Sequence, residues 1–222
     1  MPNDLWILVS FTVRMALLST VLVFPVGLAL AWALSRPGWR GKTLVETLVT
    51  LPLVVPPVVT GLILLKGFGR RGPVGHWLYE RFGAEIVFTW RAVVLALAVM
   101  SLPLLVRAAR HAFEQVNPLF ENMARTLGAG EWRVFFTISV PLARNGIVGG
   151  LLLAFARALG EFGATIVVAG NIPGRTTTLS VAIYQHIQAG DDTCAWGLVA
   201  ISVALAFGAV WGSELLLRRN TR

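Results

Sequence analysis

Apolar residues in this chain gather in long runs separated by short basic stretches. A helix that crosses a bilayer needs about 20 mostly apolar residues. The first run, from about Leu5 to Leu34, contains Arg14 and Pro25 and stops at Ser35-Arg36-Pro37-Gly38, a combination that ends helices. The second covers about Leu44 to Leu65 and carries Pro52, Pro56 and Pro57. The third runs from about Ala92 to Val106 around Pro103, the fourth from about Asn145 to Ala169, and the fifth from about Ala195 to Leu217. Between the last two, Asn171 to Gly190 holds the turn Ile172-Pro173-Gly174-Arg175 and an apolar segment, Leu179 to Ile187. That segment is too short to cross and suits a re-entrant or interfacial helix, or a sixth span on a looser count. The pattern predicts an all-α, polytopic membrane bundle of about five transmembrane helices.

Composition narrows the class further. Of 222 residues, 56% are hydrophobic and 14% charged, with a mean hydropathy of +0.73. Soluble domains have ~45–50% apolar and ~25% charged residues. The imbalance excludes a soluble enzyme, a disordered linker and a disulfide-stapled secreted domain. Cys194 is the single cysteine and cannot form an internal disulfide. Met1-Pro2-Asn3-Asp4 lacks the basic region of a signal peptide, so the first run is expected to remain as a helix. One transmembrane domain over 1–222 is expected.

The net charge of +8 is open to several readings: nucleic acid, an anionic substrate, or loops that collect Lys and Arg on the cytoplasmic side. With five spans, one side of the membrane holds Arg36, Arg40, Lys42, Arg107, Arg110, Arg125, Arg133, Arg144, Arg218, Arg219 and Arg222. The other holds Lys66, Arg70, Arg71, Arg81, Arg91 and Arg175. The bias places the 107–144 loop and the C-terminus in the cytoplasm and the N-terminus outside. Loop enrichment accounts for the charge, and no nucleic-acid partner is expected.

Three features inside the spans carry information. Each proline removes a backbone donor and bends its helix, so Leu51-Pro52-Leu53-Val54-Val55-Pro56-Pro57 implies an interrupted second span that lines a cavity or packs deep in the bundle. Gly146, Gly150, Ala154 and Ala158 form a small-residue ridge in the fourth span, and Gly208 and Gly212 repeat the spacing in the fifth; such ridges let helices approach closely. Arg157 and Glu161 lie four apart near the middle of the fourth span and can pair. A charge at that depth costs at least ~2.5–3.5 kcal/mol unless paired or hydrated. The pair either fixes helix register or lines a hydrated anion pathway. Gly160, Phe162, Gly163, Ala164 and Thr165 beside it could form a constriction.

Recognised chemistry is missing from the sequence. His76, His111 and His186 are far apart and none lies in a ligand-spaced motif, so no metal or catalytic set is expected. Gly41-Lys42-Thr43 mimics the end of a phosphate-binding loop, but Arg36 stands where that loop needs its first glycine. The chain is not expected to bind or hydrolyse ATP.

The 107–144 loop is more specific. Asn117-Pro118 reads as a capped helix start. Leu119, Met123 and Leu127 follow as an apolar stripe beside Phe120, and Gly128 ends the helix. A second helix begins at Glu131-Trp132-Arg133-Val134-Phe135-Phe136, and Pro141 is expected to interrupt before the next span. The amphipathic helix needs something to dock into, either a lipid surface or a partner protein.

That loop resembles the cytoplasmic motif of ATP-binding cassette importer permeases of type I: Glu-Ala-Ala, three residues, Gly, nine residues, Ile-x-Leu-Pro. Here it reads Asn122-Met123-Ala124, then Gly128, then Ile138-Ser139-Val140-Pro141. Asn122, Met123 and Val140 depart from the pattern, and Glu121 stands one place early. The run from Ala154 to Thr165, through Ala169-Gly170-Asn171-Ile172-Pro173-Gly174-Arg175-Thr176 to Ala182-Ile183-Tyr184, is similar to molybdate permeases, with tungstate and sulfate permeases as relatives. Leu51 to Pro57 and Phe88-Thr89-Trp90 match the same type.

The resemblance implies a homodimer in the bacterial inner membrane, surrounded by lipid, with the pathway between subunits. It implies two ATP-binding cassette subunits that carry the ATP and Mg, and an external oxyanion-binding protein. Leu119, Asn122, Met123, Ala124, Arg125, Leu127, Gly128, Ile138 and Pro141 would couple to the ATPase; Phe162 and Thr165 would gate, with Arg157 and Glu161 structural or pathway-lining. An ion-coupled secondary transporter or channel built on Arg157 and Glu161 is the alternative from another class. It lacks visible inverted repeats and leaves the helix–Gly–helix loop unexplained. A membrane-embedded enzyme lacks a catalytic set.

Overall fold

The computed structural model describes residues 2–219. Arg218, Arg219 and Arg222, which enter the charge count, lie outside the residues whose side chains are described. Helices account for the architecture: α1 (Pro2–Ser35), α2 (Lys42–Val54), α3 (Pro57–Phe68), α4 (Pro73–Phe82), α5 (Trp90–Glu114), α6 (Pro118–Thr126), α7 (Glu131–Val134), a π turn (Phe135–Ser139), α8 (Val140–Leu159), α9 (Gly163–Ala169), α10 (Leu179–Gln188) and α11 (Asp192–Arg219). Four stretches are long and apolar enough to span: Leu5–Ser35, Trp90–Glu114, Glu131–Leu159 and Asp192–Gly212. The pair α2 and α3 supplies a fifth if counted as one span, bent by 114°. The expected all-α bundle of about five spans is observed.

The bend follows from the proline pair. A residue before proline is driven out of the helical region, and Val55 and Pro56 are both extended, at ψ 138° and 133°. Pro57 then opens α3 at the position where its missing donor costs nothing. Pro25 and Pro103 stay inside α1 and α5.

Three expectations need correction. The third span runs two turns beyond Val106, so Arg107 to Glu114 are helix and not loop. The fourth apolar run is not one helix: α8 ends at Gly160, and Glu161 and Phe162 are non-helical before α9 starts. Arg157 and Glu161 therefore sit at a break rather than mid-helix. Pro141 does not interrupt, because the preceding π turn, in which the Val140 amide reaches the Phe135 carbonyl, absorbs the proline ring within a continuous helix. The apolar segment Leu179 to Ile187 forms α10 as expected.

Helix α5 is the centre of the bundle, with 61% of its most apolar window buried against 11% for α11 at the margin. Val93, Leu97 and Met100 pack with Ala16, Leu64, Ala158 and Val168 towards one end. Val106, Ala109 and Phe113 pack with Leu34, Phe135 and Ile147 towards the other. The ridge of α8 is a packing device: a methyl on Gly150 would meet Ala108 Cβ at 3.1 Å and the Leu105 carbonyl at 3.2 Å. Its counterpart in α11 faces open space at Gly208 and Gly212.

The two broken spans meet each other. A methyl on Gly61 of α3 would lie 2.8 Å from the Ala164 carbonyl oxygen and 2.9 Å from its Cα, and one on Gly163 would lie 2.8 Å from Pro57 Cβ. Gly61→Ala should therefore cost about 1–3 kcal/mol through overpacking against backbone. Gly67→Ala, which meets nothing within 4 Å, should leave thermal unfolding of the detergent-purified protein unchanged. Equal melting of the two variants would refute the close crossing.

Candidate functional site

The loop helix α6 is built from local signals. Asn117 Oδ1 accepts from the Leu119 amide at 3.0 Å and Pro118 fills the first position. Gly128, at φ +85°, closes the other end: its amide donates to the Arg125 carbonyl at 2.9 Å, and the Ala129 amide to that of Ala124 at 3.0 Å. This is the glycine-dependent stop that satisfies two terminal carbonyls.

The orientation of α6 is inverted relative to an ordinary amphipathic helix. Leu119, Phe120, Met123 and Leu127 point outward, Leu127 at 87% exposure. Glu121 points inward and is 6% exposed. Its carboxylate accepts from Arg36 Nη1 and Nη2 at 2.5 and 3.0 Å and from the Ser139 hydroxyl at 2.7 Å. Arg125 braces the exposed side, donating to both Glu131 oxygens at 2.6 and 3.1 Å and to Asn122 Oδ1 at 3.0 Å. Ala124 and Ile138 are half-buried, and Pro141 is exposed.

Burial pushes the Glu121 carboxyl up, but hydrogen bonds from Arg36 and Ser139 and the charges of Arg36 and Arg125 outweigh it and hold the group below its ordinary 4.5. Glu121, Arg36 and Ser139 are the residues that sequence reasoning missed. A helical wheel could have found Glu121, since it lies opposite the Leu119–Met123–Leu127 stripe.

At the far end of α8, Arg157 Nη2 meets Glu161 Oε2 at 2.7 Å, as the i,i+4 spacing predicts. Glu161 is 2% exposed, and its other oxygen accepts from the Ala164 amide at 2.8 Å. One carboxylate thus pairs the arginine and caps α9. Phe162 rests on Tyr184, ring centres 4.9 Å apart, and the fully buried Thr165 hydroxyl has no hydrogen-bond partner among the described residues. The structure brings all four of these candidates to the break, beside the start of α3. The α6 residues lie at the opposite end of α8, whose 20 residues span about 30 Å.

The interrupted second span does both things that the sequence left open. Helix α3 packs deep against α9, whereas α2 walls a cleft of about 700 Å³ with α5, lined by Thr43, Glu46, Thr50, Arg107, Arg110 and His111. Arg110 bridges Glu46 and Glu114 across it, at 2.5 and 2.7 Å. Folding also gathers His186, Asp191 and Cys194, with ligand atoms within 4.8 Å of one another, a grouping that the sequence did not predict. Asp191 there accepts from the Cys194 amide at 3.2 Å at the start of α11 and lies 3.2 Å from His186 Nδ1.

Residues 24–222 match the family described as the binding-protein-dependent transport system inner membrane component. The chain belongs to this family. Among relatives of this inner-membrane component, the molybdenum transport system permease protein ModB of Escherichia coli K12 is 50% identical over 214 residues, 96% of this chain and 93% of that protein. ModB of Haemophilus influenzae is 44% identical, covering 89% and 87%. The E. coli sulfate transport system permease CysT is 35% identical, covering 88% and 70%. The inward-facing MetNI methionine transporter has the same fold, with a TM-score of 0.77 at 18% identity and complete coverage of both chains. A bacterial alginate importer follows at 0.73 and 18%, covering 99% of this chain and 80% of that one.

Two predictions concern these groups. An exchange of Arg157→Glu with Glu161→Arg restores an ion pair but leaves the Ala164 amide without its acceptor. It should remain about 1–3 kcal/mol less stable than wild type, with Glu161→Gln milder than Glu161→Ala; full recovery in thermal melts would reduce Glu161 to a pairing role. For Glu121 the lowered folded value means that its stabilisation of α6 is present above the ordinary 4.5 and is lost as pH falls through the folded value. Amide exchange over 118–129, corrected for its intrinsic pH dependence, should be flat from about pH 7 to 5 and accelerate only at more acidic values. Acceleration between pH 7 and 5 would rule out the Glu121 carboxylate as its cause.

Proposed function

We propose that this chain is the membrane-spanning subunit of an ATP-driven molybdate importer of the bacterial inner membrane. It works as a homodimer with two ATP-binding cassette subunits and an external oxyanion-binding protein. The observation that carries this reading is α6: an apolar stripe turned outward while its charged face is locked inward. An exposed patch of this kind marks a protein-docking surface, and a helix laid into a groove is a recurring way to engage one. The 50% identity to a molybdenum permease against 35% to a sulfate permease favours molybdate within a shared class of tetrahedral dianions.

In this reading α6 and the 107–144 stretch face the cytoplasm, with the C-terminus on the same side and the N-terminus outside. ATP and Mg bind the partner subunits. Their closure draws two α6 helices together, and α8 carries the movement about 30 Å to the break at Gly160–Phe162. The bundle needs two packings of similar free energy, and each bound partner shifts their populations by its differential affinity. Arg157 and Glu161 keep the break folded in lipid, while Phe162 and Thr165 occupy the segment that changes. The cleft between α2 and α5 forms a polar wall at the cytoplasmic end.

Proteoliposomes containing this chain, its ATPase and its binding protein should hydrolyse ATP faster with micromolar molybdate and stay at the basal rate with sulfate. Stimulation by sulfate alone would keep the mechanism and overturn the cargo. A stable complex with no stimulation by molybdate, tungstate or sulfate would refute the oxyanion assignment.

A further inference from the structure

The charged face of α6 is held by two different membrane helices. Arg36 directly follows α1 and lies 85 positions from Glu121 in sequence; Ser139 closes the π turn that leads into α8, 18 positions away. Arg36 is itself fixed, with its guanidinium carbon 5.1 Å from the Trp32 ring centre and its carbonyl accepting from Lys42 Nζ at 3.0 Å. Phe135, in the same π turn, packs edge-on to Trp32 at 5.1 Å and against Phe113 at 6.0 Å. The ends of α1, α5 and α8 therefore converge on the spot where Glu121 enters.

We propose that Glu121 is the positioning residue that makes α6 move as one body with α1 and α8. The proposal deepens the reading of the chain as a permease driven through α6, and rests on it. A short helix tied only by main chain at residues 115–117 and 127–130 can pivot when a partner pushes it. A bidentate guanidinium–carboxylate pair fixes angle as well as distance, and the Ser139 hydroxyl adds a third point on another helix. Three points define a plane, so the push on the apolar stripe is delivered to the spans instead of being lost as rotation. The Arg125–Glu131 brace cannot serve in this way: Glu131 is exposed, where ion pairs contribute little, and the brace reaches only the span that Ser139 already engages, leaving α1 untied. Removing one partner of the buried set leaves a charge without compensation, so the clamp fails by loosening α6 and not by altering its docking face.

The test measures ATP hydrolysed per molybdate imported, in proteoliposomes of the complete transporter with its ATPase and binding protein. Co-purification of the ATPase is scored for each variant. Glu121→Gln should still co-purify the ATPase, but should consume about tenfold more ATP per molybdate, the size of a lost charge-assisted hydrogen bond. Arg36→Lys keeps the charge and loses the fork, and should give a smaller rise, about threefold. Glu131→Gln, at the exposed brace, should change the ratio less than about twofold. An unchanged ratio in Glu121→Gln, with wild type transporting, overturns the clamp and leaves the permease reading intact. Should Glu121→Gln not assemble, an unchanged ratio in Arg36→Lys overturns it equally. A wild-type complex that imports no oxyanion refutes the permease reading and takes the clamp with it.

Discussion

A helix that breaks where water is excluded frees backbone groups that must find partners within the protein, and here one carboxylate meets that demand. Glu161 receives the Ala164 amide with one oxygen and Arg157 with the other. A lone charge in that position would cost several kcal/mol; paired and hydrogen-bonded, it becomes the anchor of α9. Where α9 starts decides how closely α3 can approach, because Gly163 lies on Pro57 and Gly61 on Ala164. Phe162, between the anchor and the helix, is thereby presented to Tyr184. The arrangement of both interrupted spans thus depends on a single side chain.

The rest of the bundle gives that anchor a long arm. Helix α5 is the buried spine, and α8 lies against it along a ridge of glycine and alanine that permits close approach. The two ends of α8 differ in chemistry. One is a break held by an ion pair at low exposure; the other is a surface helix held by charge on its inner face and left apolar on its outer one. A rod between them converts a displacement at one end into a displacement at the other, with little loss in bending.

Much of this was legible in the sequence, because the signals are local. Proline pairs, the Asn117-Pro118 start, the Gly128 stop and the four-residue spacing of Arg157 and Glu161 each act within a turn of the chain. The break after Gly160 was not legible: the apolar run resumes directly beyond Glu161, no proline marks the break, and the Ala164 amide finds its acceptor in a side chain three residues back. Glu121 escaped for a different reason. The family motif places its acid at the position of Asn122, and a polar helix face is ordinarily assigned to water; only the fold shows Arg36 and Ser139 waiting behind it. Gly208 and Gly212 were readable as a pattern, but what they face lies beyond this chain's own contacts.

The π turn at Phe135–Ser139 sets the phase of the whole arm. Each residue of an α-helix advances the face by about 100°, so a one-residue bulge re-aims everything upstream of it relative to everything downstream. Ser139 thereby turns towards Glu121 while the α8 ridge still meets α5, two demands that an uninterrupted α-helix would set against each other. The bulge acts as an angular adjuster between the contacts that hold α6 and the packing of α8 in the bundle. Sliding this one extra residue along the helix would re-aim the outward apolar face of α6 and leave the packing of α8 on α5 as it stands.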